Sequence, residues 1–218
     1  MKILVYGSNG WIGKQFINIL INNGIDYIEG NTRVNNVNNV KQEIQNISPT
    51  HIISFIGRTH GKIDNITYNT IDYLEQKGKL DDNIRDNLYS PLMLAIISNK
   101  LKIHYTYLGT GCIFNYENQM DLDMDGFKED DLPNFIGSSY STVKGYTDRI
   151  MDEFDNVLNL RIRMPINNNQ HSRNFITKIT TYYKICSIPN SMSVLPELLP
   201  KILYMMEKNI IGTLNFTN

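Results

Sequence analysis

The chain has 218 residues, a formal net charge of −1 and 20% charged residues. That is enough for one substantial domain with a core, and it leaves no basic footprint for nucleic acid. Two cysteines give no disulfide framework and no zinc spacing, so no metal is expected and a reducing, cytoplasmic setting is the default; MKILVYG is too short an apolar run for a signal peptide, and no stretch nears the ~18 apolar residues of a membrane span.

KILVY (2–6) is an all-apolar run, as expected of a strand buried on both faces. Residues 11–23 carry apolar side chains at helical spacing and stop at Asn22-Asn23-Gly24. DYIEG (26–30) reads as a second strand, 36–47 as a helix ended by Ser48-Pro49, and HIISFIG (51–57) as a third strand. Residues 58–78 are polar and show no clear period. A long helix is expected over 80–99, with a kink at Pro91. KIHYTYLG (102–109) is a fourth strand and 115–137 an acidic loop. A helix over 138–154, a strand over 157–163 and helices over 173–185 and 195–208 follow, then a last strand, TLNF (213–216). Strands alternating with helices imply a doubly wound α/β fold with a parallel sheet, and the Rossmann strand order 3-2-1-4-5-6 is expected. NNVNN (35–39) and NNN (167–169) read as compositional bias, in a chain whose one alanine is Ala95.

Three motifs carry chemistry. Gly7-Ser8-Asn9-Gly10-Trp11-Ile12-Gly13 joins the first strand to the first helix. Glycines there allow a tight turn and close approach of backbone to a pyrophosphate, and the helix N-terminus adds oriented N–H donors. At the end of the second strand, Glu29 suits a free ribose 2′-hydroxyl while Arg33 suits a 2′-phosphate, so the two signals conflict. Tyr140 and Lys144 are one helical turn apart and share a face. An ammonium beside a phenol lowers its pKa from about 10, which favours acid–base work near neutrality. Thr110, a hydroxyl at the end of the fourth strand, is the natural third member. Cys112 lies two residues on, and by itself reads as a small buried hydrophobe. Cys186 has no motif around it and reads as core.

With these motifs the chain resembles the extended short-chain dehydrogenases/reductases. The strings TGCIFNY, GFKEDDLPNF, SSYSTVK, LRIRMPI, SRNFITKIT, IPNSMSVLPELLP and GTLNFTN are similar to one group among them. That group is the bifunctional nucleotide-sugar 3,5-epimerase/4-reductases, plant and giant-virus enzymes that make UDP-L-rhamnose from UDP-4-keto-6-deoxyglucose and are related to the dTDP-4-dehydrorhamnose reductases. The likeness is collinear over 1–218 and weakest at 31–48 and 58–86.

The resemblance implies NAD(P)H chemistry, with NADP(H) favoured over NAD(H) because Arg33 matches the family's arginine, although Glu29 departs from its pattern. It makes Thr110, Tyr140 and Lys144 the reductase triad and Cys112 and Lys178 the acid–base pair of the epimerase step, with the direction of proton transfer open. Asn87 matches the asparagine that supports the cofactor and active-site region. Gly111, Arg173 and Asn174 fall where substrate is held, and Arg163 either approaches substrate or is structural. Implied partners are a UDP-sugar and, in a homodimer, a second copy, with the host cytoplasm as the location for a viral protein. The expected layout is a cofactor domain over 1–165, a substrate segment over 166–194, and a helix and strand over 195–218 that return to the sheet. Relatives continue past NFTN, so a small, incomplete C-terminal substrate lobe is expected.

Overall fold

The computed structural model describes residues 1–116, 126–185, 187 and 189–218. Part of the acidic loop and Cys186, read from sequence as core, therefore lie outside the described residues. The first half of the chain runs β1 (Lys2–Tyr6), α1 (Trp11–Asn22), β2 (Asp26–Glu29), α2 (Val37–Ile47) and β3 (His51–Ser54). A hairpin of β4 (Gly61–Ile63) and β5 (Ile66–Tyr68) and a 3-10 turn (Ile71–Tyr73) come next. Then follow α3 (Leu80–Ile84), a π turn (Arg85–Tyr89), α4 (Ser90–Leu101), β6 (His104–Thr110), α5 (Ser139–Met151), β7 (Val157–Ile162), α6 (Phe175–Ile179), α7 (Leu195–Glu207) and β8 (Gly212–Asn215).

Six strands form a parallel sheet in the order β2-β1-β3-β6-β7-β8. The doubly wound parallel sheet is as expected, but its order in chain numbering is 2-1-3-4-5-6 rather than 3-2-1-4-5-6. The reason is the single crossover helix α2, which carries the chain from β2 past β1 to β3 with no further strand outside β2. The direction of winding therefore reverses between β1 and β3, and the crevice outside the carboxyl ends of those strands is where such sheets bind ligands.

Alternation along the strands divides the core in two. Ile3, Val5, Ile53, Leu158 and Leu160 face α1 and α7, whose Phe16, Leu20, Leu198, Leu199, Ile202 and Met206 are buried against them. Leu4, Tyr6, Ile52, Tyr105 and Tyr107 face the other way, toward α2 and α4. Each fully buried Leu or Ile contributes about 1.5–3 kcal/mol. On that second face β7 presents Arg161 instead of an aliphatic residue, paired at 2.6 Å with Asp148 of α5. Arg161 also donates to the Glu129 carbonyl, which ties the end of the acidic loop to the sheet.

Two expectations change. The helix over 80–101 continues through Pro91 by way of the π turn. Pro91 has no N–H to give to that turn, and the Asn87 carbonyl accepts from Thr147 Oγ1 instead, at 2.7 Å. The helix expected over 173–185 forms only at Phe175–Ile179, because it buries no residue of its own and Tyr182 and Tyr183 beyond it face solvent.

Candidate active site

The glycine turn is built for close approach. Gly7 has φ +75°, and a Cβ there would meet the Phe55 carbonyl carbon at 2.8 Å. A Cβ on Gly13 would meet the Gly7 carbonyl oxygen at 2.4 Å, so only glycine lets α1 begin against the turn. Gly10 caps α1 with no side-chain hydrogen bond and no acidic residue in the first turn. The Gly10 N–H closes the turn on the Gly7 carbonyl at 3.1 Å, and the first-turn donors of Trp11, Ile12 and Gly13 are left facing the crevice with positive potential. Ser8 is buried and Asn9 exposed. This shape and polarity fit a dinucleotide pyrophosphate.

One cavity of about 420 Å³ runs from this turn across the carboxyl ends of the strands. Gly10, Trp11, Asn87, Thr110, Cys112, Tyr140, Lys144, Arg173 and Lys178 all line it. Residues placed by α1, the π turn, β6, α5 and α6 and by the loops after β1, β3, β6 and β7 therefore meet around one volume. Arg33 and Glu29 lie outside it, both exposed, while Glu43 of α2 holds the turn between them by accepting from the Asn31 and Thr32 N–H groups.

Tyr140 and Lys144 sit on the buried face of α5, 8% and 4% exposed. Burial raises the Tyr140 phenol above its ordinary range, the nearby Cys112 adds to this, and a hydrogen bond with Thr110 pulls the other way. Tyr140 is thus a proton holder at neutral pH, contrary to the expected lowering by Lys144. The Lys144 ammonium is turned to β6, where it donates to the Tyr107 hydroxyl and lies 4.5 Å from the centre of that ring. Burial lowers Lys144 to about 8, with Asp148 and Cys112 opposing.

Cys112 is half-buried, and its N–H donates to Thr110 Oγ1 at 3.1 Å. Lys178, on α6, is also half-buried. Its ammonium is lowered by burial first and then by Arg173, while Cys112 acts in the opposite sense. Thiol and ammonium line the same cavity, close enough for Cys112 to act on the ionisation of Lys178.

Other sequence candidates take different places. Asn87 is spent on the protein: it accepts from the Arg58 N–H and donates to the Arg58 carbonyl and to Asn83, so it pins the loop after β3 to the π turn. Asn174 caps α6 and clamps the Asn167 and Asn169 carbonyls; it is 2% exposed and does not line the cavity. Arg173 does line it, held by Thr59 at 3.1 Å and by the His60 ring at 2.7 Å. Gly111 and Arg163 face a second cavity of about 400 Å³ next to the first.

Sequence reasoning missed three participants. His60, kept neutral by burial and by Arg173, sits in the polar stretch that had no period. Glu75 accepts from the Ser139 and Tyr140 N–H groups and so caps the helix that carries the tyrosine. His171, in the loop after β7, stacks on Trp11 at 5.3 Å and closes that loop over the glycine turn.

Known proteins align with this whole arrangement. The chain is 53% identical to the L780 protein of Acanthamoeba polyphaga mimivirus, over all of itself and 74% of that protein. The crystal structure of that UDP-rhamnose synthase superposes with a TM-score of 0.94, covering 75% of it. A bifunctional dTDP-4-dehydrorhamnose 3,5-epimerase/dTDP-4-dehydrorhamnose reductase of Arabidopsis thaliana is 37% identical over all of this chain and 70% of its own length. The chain belongs to the nucleotide-sugar epimerase/reductases of rhamnose synthesis. A trifunctional dehydratase/epimerase/reductase of the same plant is 40% identical, but the chain spans only 32% of it. No family model matches the sequence. A dTDP-4-dehydrorhamnose reductase from Bacillus anthracis in complex with NADP shares the fold, with a TM-score of 0.78 at 19% identity over all of this chain and 75% of that one.

Proposed function

We propose that this chain converts UDP-4-keto-6-deoxy-D-glucose to UDP-L-rhamnose, epimerising C3 and C5 and then reducing C4. The observation that carries this reading is the one cavity lined by the glycine turn, by Thr110, Tyr140 and Lys144, and by Cys112 with Lys178. Gly7, Gly10 and Gly13 would hold the dinucleotide, with Arg33 favouring NADP(H), and the bound cofactor supplies the hydride for C4. Residues 1–165 act as the cofactor half and 166–194 as the substrate segment, with Arg173 on the sugar nucleotide. The reaction belongs to the cytoplasm, and a homodimer is expected.

The C3–H and C5–H bonds of the substrate are acidified by the C4 ketone between them. One of Cys112 and Lys178 takes the proton from one face, and the other returns a proton to the opposite face, which inverts the centre. Of this pair the Lys178 ammonium is lowered from its ordinary range by burial first and then by Arg173, which moves it toward use near neutrality. The hydroxyls of Thr110 and Tyr140 stabilise the oxygen charge that develops at C4. In the reduction Tyr140, which keeps its proton at neutral pH, gives it to the C4 oxygen, and Lys144 supplies positive charge beside it.

The test uses the protein with UDP-4-keto-6-deoxyglucose and NADPH. Loss of nicotinamide absorbance with formation of the L-rhamno product is expected. Cys112→Ala should still reduce a pre-epimerised keto sugar but form no L-rhamno product from the unepimerised one. Normal L-rhamnose formation by that variant would remove the thiol from the epimerase step.

A further inference from the structure

Cys112 has a partner that its place just past β6 does not reveal. The loop after β6 and the end of β7 run side by side, and Arg163 Nη1 reaches back to Cys112 Sγ at 3.1 Å. The same nitrogen lies 3.4 Å from the Gly111 carbonyl, and Nε donates to Asn190 Oδ1 at 2.9 Å. The Arg163 N–H is held by Ser193 Oγ, and Ser193, fully buried, donates in turn to the Phe216 carbonyl. Arg163 is therefore held at its backbone and along its guanidinium, and it lines the second cavity while Cys112 lines the first. A guanidinium only donates, and it carries its charge at every working pH. The sulfur is then the acceptor in this contact, with its lone pairs directed by the arginine.

We propose that Arg163 is the positioning residue for Cys112: it fixes the sulfur at the rim of the catalytic cavity in an acceptor state, ready to receive the sugar's C3 or C5 proton. This rests on the epimerase reading given above. Arg163 itself does not exchange protons with the sugar; it acts through sulfur. In the step, the proton passes from carbon to Sγ in its thiolate form, which becomes the thiol; the C–H electron pair moves toward C4 to give the enolate whose oxygen Thr110 and Tyr140 hold; and Lys178 on α6, as the ammonium, gives a proton to the opposite face of that carbon and becomes the amine. Tyr140, Lys144 and Lys178 are the titratable groups near enough for Cys112 to act on their ionisation, and they belong to α5 and α6. None of them replaces the contact with Arg163.

The test compares wild type with Arg163→Met and Arg163→Lys in two assays. In the first, each protein is incubated in D2O with UDP-4-keto-6-deoxyglucose, and deuterium entry at C3 and C5 is set against the rate of NADPH-dependent reduction of a pre-epimerised keto sugar. The exchange-to-reduction ratio should fall about tenfold or more in Arg163→Met, a typical loss for a displaced acid–base group. Arg163→Lys, which keeps a cation and a donor, should recover part of it. In the second, alkylation of Cys112 by iodoacetamide in the free protein at pH 7 is followed on its tryptic peptide. It should slow in Arg163→Met and partly recover in Arg163→Lys. An unchanged ratio or an unchanged alkylation rate in a folded Arg163→Met, or a Lys variant no better than Met, overturns the proposal. If wild type shows neither exchange nor reduction, the epimerase/reductase reading fails, and the alkylation assay still decides the role of Arg163 toward sulfur.

Discussion

Lys144 is a charge held where water does not reach, and that has a measurable cost. Its amine is lowered to about 8 by burial, against an ordinary value of 10.5. Below pH 8 the side chain is protonated in both the folded and unfolded protein, and the buried ammonium costs on the order of 3 kcal/mol. Between about 8 and 10.5 the unfolded chain holds the proton and the folded one has released it, so stability rises with pH across that window. The contact with the Tyr107 hydroxyl recovers part of the cost, and breaking it on one side would strand a buried group. Removing both partners avoids that. The double variant Tyr107→Phe/Lys144→Met should be more stable than wild type at pH 7 by about 1–3 kcal/mol in denaturant titrations, with the advantage shrinking toward pH 10. It should also lose reductase activity, while wild-type activity should decline above pH 8 as the ammonium is lost. A double variant less stable than wild type at pH 7 would show that Lys144 carries no burial cost.

At the scale of elements, the segment between β3 and α3 is the part that builds the site without announcing itself. Its hairpin and 3-10 turn pack Ile63, Tyr68, Ile71, Tyr73 and Leu74 against Tyr140 and Cys112. Glu75 then reaches the start of α5 and accepts from two of its unpaired N–H groups, at 3.0 and 3.3 Å. Ser138 caps the same helix from within the sequence, accepting from the Ser141 N–H. Losing a cap of this kind costs about 0.5–2 kcal/mol. Glu75→Ala should therefore lower the melting temperature and slow reduction, because the first turn of α5 carries Tyr140. Glu75→Gln, which keeps an acceptor but not the charge at the helix N-terminus, should fall between. Wild-type melting and turnover in Glu75→Ala would leave Ser138 as the sufficient cap. The contrast shows what sequence could supply. Tyr140 with Lys144, and Gly7 with Gly10 and Gly13, are set by local spacing, so they are visible before any fold is known. Glu75 on α5, Arg163 on Cys112 and His60 on Arg173 join residues 51 to 113 positions apart, and no local period marks them. Strand order is of the same kind: the alternation of strands and helices implies a parallel sheet, but which side of β1 receives β3 depends on α2 alone.

Across the whole molecule the two ends of the sheet do different work. The carboxyl ends of the strands carry the cavity and every acid–base candidate, whereas the opposite edge carries a buried histidine pair. His51 opens β3 and His104 opens β6, directly paired in register, with ring centres 5.2 Å apart. His51 Nε2 bonds the Met206 carbonyl at the end of α7, and His104 Nε2 bonds the Ile210 carbonyl just before β8. The pair thus fastens the last helix and strand to the middle of the sheet. Burial is the first cause that lowers both imidazoles, and for His51 the neighbouring His104 comes next. The folded protein therefore binds fewer protons than the unfolded chain once the pH drops toward the ordinary imidazole value of about 6.5. Stability from the neutral pair is complete above that value and is lost as pH falls through it, until the folded pKa is passed. Each imidazole adds a slope of up to about 1.4 kcal/mol per pH unit within the window. Melting curves recorded from pH 7.5 to 5 should show a steep decline in wild type. In the double variant His51→Gln/His104→Gln, where amides can still donate to the two carbonyls but cannot titrate, the decline should flatten even if the neutral-pH melting temperature is lower. Equal slopes for the two proteins would overturn this assignment, since Asp82 and Asp86, two of the carboxylates that pair with arginine, have lowered pKa values and act only at more acidic pH.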